Sequence, residues 1–386
     1  MPQMGWKCIE ERRWAGLVEG IRDPDQKTYL QGESLTVPWV ATINRYVKAY
    51  INGLYQHMPM IHLRTLDLND LELYHILALA SIGAIYCFEP EIGALLHTIA
   101  VDLLPEEVTI SKVQTIILCL SFAVWNGNRQ LLEKDLFLHP LLSRSLLRLR
   151  QQAESGWIKD EERRRTCFSG YCLLVQLQLL FNLPFSIKLS ELDMSLPCSE
   201  EEWADGAREA QPNFLEAFSA LFSGNVRCSE FGAFILISAL LSTILDTRRV
   251  SDEFEKFDLA LDNWQKLWVA HPNMGAMAFN ASALYRVATI RRVEDYSRYV
   301  HFLSLMSVKM FFLANEQECA EQIYRMLEER EMPRGAATIR AIVATCASLQ
   351  LEVNLGLKYL AQTSSQSWSI EHMFCKVELS MSLTIY

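Results

Sequence analysis

Three arginines stand in a row, Arg163, Arg164 and Arg165, and the next charged residue along the chain is Lys188. A cluster of guanidinium groups offers planar forks of N–H donors, the chemistry that holds a phosphate or a carboxylate. Phosphate binding needs positive charge left uncompensated, and here Asp160, Glu161 and Glu162 precede the triplet. At helical spacing Glu161 is placed to pair with Arg164 or with a neighbouring helix, while Asp160 with Arg163 and Glu161 with Arg165 offer further pairs, expected in solvent. The triplet reads as a charged first turn leading into a core helix.

Other chemistry-bearing residues give weaker signals. His57 and His62 flank Met58–Ile61 and read as loop or core histidines with satisfied hydrogen bonds. Asp67, Asp70 and Glu72 read as acids at a helix N-terminus rather than as paired catalytic carboxylates. Trp125, Trp157 and Trp203 read as core aromatics ahead of a ligand box. The ten cysteines, Cys8, Cys87, Cys119, Cys167, Cys172, Cys198, Cys228, Cys319, Cys346 and Cys375, fall at irregular intervals in mostly apolar runs. No two are spaced Cys-x-x-Cys, so neither a zinc finger, a binuclear zinc cluster nor a thioredoxin-type site is written here. Gly-rich phosphate loops, a nucleophile elbow and His-Glu-x-x-His are missing too. The residues thus assign no catalytic group, no metal ligand and no cofactor.

The elements that carry these residues are helical. Trp157, Glu161, Arg164, Phe168, Tyr171, Cys172, Val175 and Leu179 recur at steps of three and four, one face of a helix. The same period returns from Val40 to Tyr55, Leu71 to Cys87, Ile92 to Leu104, Val113 to Trp125 and Leu141 to Arg150, with breaks expected at Pro59, Pro90, Pro105, Gly127 and Pro140. Phe254, Phe257, Leu261, Trp264, Leu267 and Trp268 line a further helix that Ser251 is expected to cap. Alternating strand patterns are scarce and no repeat of fixed period appears, so the fold class is all-α, a compact multi-helix bundle.

Half of the 386 residues are apolar, enough to bury a sizeable core. The formal net charge of −10 opposes direct contact with polyanionic nucleic acid. Three apolar runs call for a membrane test. Val113–Asn128 and Phe231–Leu245 fall short of about 20 residues, and Thr166–Ile187 is diluted by Gln176, Gln178 and Asn182, so no membrane span is expected. The N-terminus carries charge throughout and does not read as a secretory signal. The polar stretch Glu200–Asn213 marks a boundary or surface excursion between two helical halves.

Two blocks resemble a known family. Tyr46–Leu68 is similar to the opening of the fungal-specific transcription factor domain, with Pro59, Met60, Ile61, His62 and Thr65 in its turn and Arg64 where a second proline is usual. The block from Trp157 to Trp203 resembles the same family through Trp157, Glu161, Arg163, Arg164, Arg165, Pro184, Glu191, Leu192, Leu196, Pro197, Cys198 and Trp203. Residues 367–381, SWSIEHMFCKVELSM, look like its last helix.

The resemblance implies an organisation in which residues 1–39 form an N-terminal segment without a zinc-binding motif, 40–203 the N-terminal half of the regulatory domain and 204–386 its C-terminal half. It implies a nuclear regulator of a metabolic or secondary-metabolite pathway of a biosynthetic gene cluster. Because no zinc module is written in the first forty residues, the expected route to DNA is a protein partner carrying a DNA-binding domain, in a homo- or heterodimer. A small-molecule effector fits the same picture. The alternative, a cytoplasmic biosynthetic enzyme or small-molecule binder on the same helical body, ranks second, with His62 and Trp125 as the residues to test.

Overall fold

Helices form wherever the three-and-four spacing of apolar residues persists. The computed structural model describes residues 5–21, 37–126, 128–181, 183, 187–206, 210–224, 226–247, 254–271, 276–293, 339 and 343. Thirteen α-helices run through them: α1 (Glu11–Ile21), α2 (Val40–Asn52), α3 (Leu73–Tyr86), α4 (Pro90–Asp102), α5 (Ile110–Trp125), α6 (Arg129–Asp135), α7 (Leu138–Arg150), α8 (Trp157–Phe181), α9 (Glu200–Asp205), α10 (Phe214–Ala220), α11 (Glu230–Thr247), α12 (Phe254–Val269) and α13 (Ala276–Val293). Among the described residues there is no strand, only two isolated bridges, Lys7 with Asp67 and Ser195 with Asn213. The protein is all-α.

The chain divides into two compact units. The first draws on Met1–Asn126, Gln130–Gly170 and Glu200–Arg208; the second on Gly127–Arg129, Tyr171–Ser199 and Glu209 onward. In the first, α3 packs against α2, α4 and α5. Ten consecutive residues of α3, His75 to Ala84, are buried, which is why its apolar residues run all round the helix instead of forming one stripe. Residues 5–21 also belong to this unit: the backbone of Lys7 bonds to Leu66 and Leu68, Asn44 exchanges hydrogen bonds with Ile9, and Ile9 and Trp14 are buried.

In the second unit α11 plays the corresponding part, packed against α10, α12 and α13. It alone among the described residues is long and apolar enough to cross a membrane, and 72% of it is buried within the protein, as a core helix would be. The expected face of α12 holds at Phe257, Leu261, Trp264 and Trp268, all buried. Trp264 stacks on Trp268 and Tyr285 and donates its indole N–H to the Ala233 carbonyl at 2.8 Å. Ser251, its expected cap, lies outside the described residues.

Two expected breaks turn out to be helix starts. Pro90 opens α4 and Pro140 lies in the first turn of α7, where a helix leaves its N–H groups without intrahelical partners and proline gives up nothing. The acids before α3 also differ from expectation. Asp67 pairs with Lys7 at 2.9 Å and accepts from the Asn69 backbone and side chain, contacts that draw its carboxyl down to about 2. Only Glu72 stands at the helix start, and its side chain makes no capping bond.

Backbone contact sets the spacing of α2 and α3. A β-carbon at Gly83 would stand 1.8 Å from the Tyr46 carbonyl oxygen, whereas one at Gly170 would meet only the side-chain ends of Leu146 and Ile117. Gly83→Ala is therefore expected to cost about 3 kcal/mol by forcing two helices apart. Gly170→Ala should stay within about 1 kcal/mol of the parent, because movable methyls give way and alanine favours helix. Urea unfolding of the two variants checks the contrast.

His75 on α3 is fully enclosed, and burial, with a smaller push from the Lys159 ammonium, lowers its imidazole to about 3. Its folded pKa thus lies below the unfolded value of 6.5, so the unfolded chain takes a proton that the folded chain refuses. The resulting stability is complete above pH 6.5 and falls as pH drops toward 3, by up to about 1.4 kcal/mol per pH unit. His75→Leu should flatten this slope between pH 6 and about 4 in urea titrations.

Candidate functional site

The N-terminal turns of α8 carry the arginine triplet, and the first unit folds around them. Arg165 is wholly buried. Its Nε donates to Glu161 Oε1 at 2.9 Å, one turn back on α8, and its Nη1 donates to the Pro59 carbonyl at 3.2 Å and to Glu200 Oε1. Its guanidinium carbon sits 4.0 Å from the centre of the Trp203 ring, a cation–π contact made in a dry setting. Helical spacing places Glu200 and Trp203 together, since residues three apart on α9 share a face. One charge therefore ties three pieces of chain: α8, the turn at Pro59, and α9.

The surroundings complete this clamp. Trp203 is buried against His62, ring centres 5.0 Å apart, and His62 Nδ1 lies 2.9 Å from Thr65 Oγ1. Burial holds the His62 imidazole below its ordinary pKa. Tyr55 directs its hydroxyl to Glu200 Oε2 at 3.4 Å, and Arg64 pairs with Asp205 at 3.0 Å. Deeper in, Gln114 of α5 donates to the Met60 carbonyl at 2.8 Å and to Thr166 Oγ1 at 3.1 Å, fixing the same turn from the other side.

The other two arginines are also engaged. Arg164 reaches Glu161 at 3.3 Å and Asp160 at 3.1 Å; Arg163 reaches Asp160 at 2.6 Å and donates to the Arg150 carbonyl at 2.9 Å. The pairing of Glu161 with Arg164 is thus present. The expectation that the Glu161–Arg165 pair lies in solvent is corrected: both groups are fully buried. Chemically, the arrangement recognises carboxylate and indole together. A buried His97–Asp135 pair, 2.6 Å apart, joins α4 to α6, and among the described residues no three His, Cys, Asp or Glu side chains gather as a metal-binding set.

A family model described as the fungal specific transcription factor domain matches residues 47–266, which include every residue of this clamp. The chain belongs to the fungal-specific transcription factor domain family. A second model, the fungal transcription factor C-terminal domain, matches residues 305–386. No curated protein and no solved structure matches the chain.

Of the residues that carried the resemblance, the fungal transcription factor domain brings Pro59, His62, Glu161, Arg164, Arg165 and Trp203 into one cluster. Trp157 opens α8 and is half-buried. Leu196 and Pro197 belong to the second unit, where Leu196 donates its N–H to the Pro212 carbonyl and the Pro197 carbonyl accepts from Ser229. Pro184 and the block 367–381 lie outside the described residues. Of the tryptophans, Trp125 is half-buried and Trp203 is core. Sequence reasoning passed over Glu200, Tyr55 and Gln114. The available signal was Glu200-x-x-Trp203, an acid and an indole on one face of a stretch that otherwise reads as polar excursion.

Breaking a buried ionic cluster by removing one partner strands the others. Arg165→Met is expected to lower stability by about 3–5 kcal/mol, because Glu161, Glu200 and the Pro59 carbonyl lose their shared donor. Adding Glu161→Gln should recover part of the loss, so that the pair couples by at least about 1 kcal/mol in a double-mutant cycle followed by urea unfolding.

Proposed function

We propose that this member of the family is a nuclear regulator of a metabolic or secondary-metabolite pathway, and that it acts on DNA through a protein partner carrying the DNA-binding module. The membership supports the regulator class. The observation that carries the rest is the state of the arginine triplet: Arg163, Arg164 and Arg165 are engaged by Asp160, Glu161 and Glu200. Arginines bound in this way do not displace counterions from a phosphate backbone, and the chain as a whole carries a net charge of −10. A folded helical body with such a charge is suited to bind a protein or a small effector and to pass that event on as a change in packing.

Deleting the gene and recording transcripts and metabolites of the surrounding genes from the same cultures tests this. A collapse of those transcripts is expected, and the full chain purified from the host should bring a DNA-binding protein with it. Unchanged transcripts alongside an accumulated intermediate would overturn the reading and make the protein a biosynthetic one.

A further inference from the structure

The clamp has two parts of different character. Arg165 also bonds Glu161 and the Pro59 carbonyl, neither of which belongs to α9, and Gln114 bonds the Met60 carbonyl of the same turn. The receiving side is therefore organised in advance by contacts that do not involve α9. The seated side is slight. It is a six-residue helix, too short to persist in water by itself, and the chain before and after its segment belongs to the second unit. Gly206, immediately after it, takes the left-handed conformation at φ +73°, a turn that glycine makes without steric cost.

What holds the segment is equally uneven. Trp203 is buried, but the Glu200 side chain is 49% exposed and the Arg64–Asp205 pair is mostly in solvent. Exposed pairs are screened by salt and contribute little. Without α9, Arg165 and Arg64 would each lose a carboxylate, those of Glu200 and Asp205, so the cradle would become more positive within an acidic protein.

We propose that the Arg165 cradle is a receptor for a short acidic–aromatic helix, that α9 is its resident occupant, and that a partner presenting the Glu-x-x-Trp pattern exchanges with it. Exchange leaves Arg165 paired: one carboxylate and one indole depart as an equivalent pair arrives, so no charge is stranded in the interior at the end points. The released α9 would then present Trp203 and its three consecutive glutamates to solvent. This deepens the reading of the domain as one that receives a protein partner, and rests on it.

The test uses the full chain and an acetylated, fluorescently labelled peptide of residues 199–206, SEEEWADG. Trp203→Ala in the chain loosens the resident helix, and Glu200→Gln with Asp205→Asn serves the same purpose should the first variant fail to unfold cooperatively in urea. Fluorescence anisotropy should show saturable peptide binding to the loosened chain and at least about tenfold weaker apparent binding to the parent, whose own α9 competes at high effective concentration. Replacing glutamate or tryptophan in the peptide should abolish binding, and a photoreactive phenylalanine at the tryptophan position should crosslink within 55–65 or 161–165. In the parent, amides of residues 200–206 should exchange with deuterium well before those of α8. No saturable binding to a folded, loosened chain, or exchange of 200–206 only with global unfolding, overturns the proposal. Because the assay contains no DNA and reads no transcript, its failure leaves the regulator reading standing, while unchanged transcripts with intact peptide binding would sink that reading alone.

Discussion

In the first unit α8, α9 and the turn at Pro59 meet at a guanidinium taken out of water. Removing an ion of that size from solvent costs several kcal/mol even after the protein relaxes, and the cost must be met locally. At Arg165 it is met by Glu161 within the same helix, by the Pro59 carbonyl, by Glu200 and by the face of Trp203. Apolar residues replacing the whole buried set, Arg165 together with its acids, could be as stable, so the charge is not there to add stability. It selects an arrangement. The placement of the Pro59 turn and of α9 seen here brings a carbonyl, a carboxylate and an indole face to that fork together.

The apolar helices make this selectivity effective. Gly83 lets α3 touch the backbone of α2, and the enclosed run of α3 leaves no room for either helix to slide. The end of α3 is fixed in turn by Phe88 in the left-handed conformation at φ 61°, with Phe88 and Glu89 donating to the carbonyls of Ile85 and Ala84. Glu89 then binds Arg45 and Tyr46 of α2. A rigid apolar frame thus presents the Pro59–Thr65 turn at a set position, and Gln114 and Arg165 supply the polar contacts that its bent backbone requires.

What could be read from the chain and what could not follows the range of the interactions. The helices were legible because their apolar period is local, and α5 and α8 lie where that period places them. Pro90 and Pro140 mark the interruptions between helices, but proline alone does not say whether it stands at the first turn or after the last. The triplet looked solvated because its acids, one turn away, already balance it. The acid that Arg165 meets outside its own helix, Glu200, stands thirty-five residues on, and no period links the two. The His97–Asp135 pair escaped notice for the same reason, thirty-eight residues separating them. The cluster of Pro59, His62, Glu161, Arg165 and Trp203 is visible in the sequence only as a family pattern; in the structure these residues are the walls and the centre of one clamp.

The placement of charge bears on what such a clamp can meet. Among the described residues the buried charges nearly balance, with Lys112, Arg163, Arg165 and Arg291 against Asp135, Glu161 and Glu162. The excess of acid in the chain is therefore not stored in that core. At physiological ionic strength a charged surface acts over only about 8 Å, so what an approaching acidic helix meets is decided by the groups within that reach. Specificity for a short acidic segment then needs no large interface, because the cradle at Arg165 would differ from its surroundings in its charge as well as in its shape.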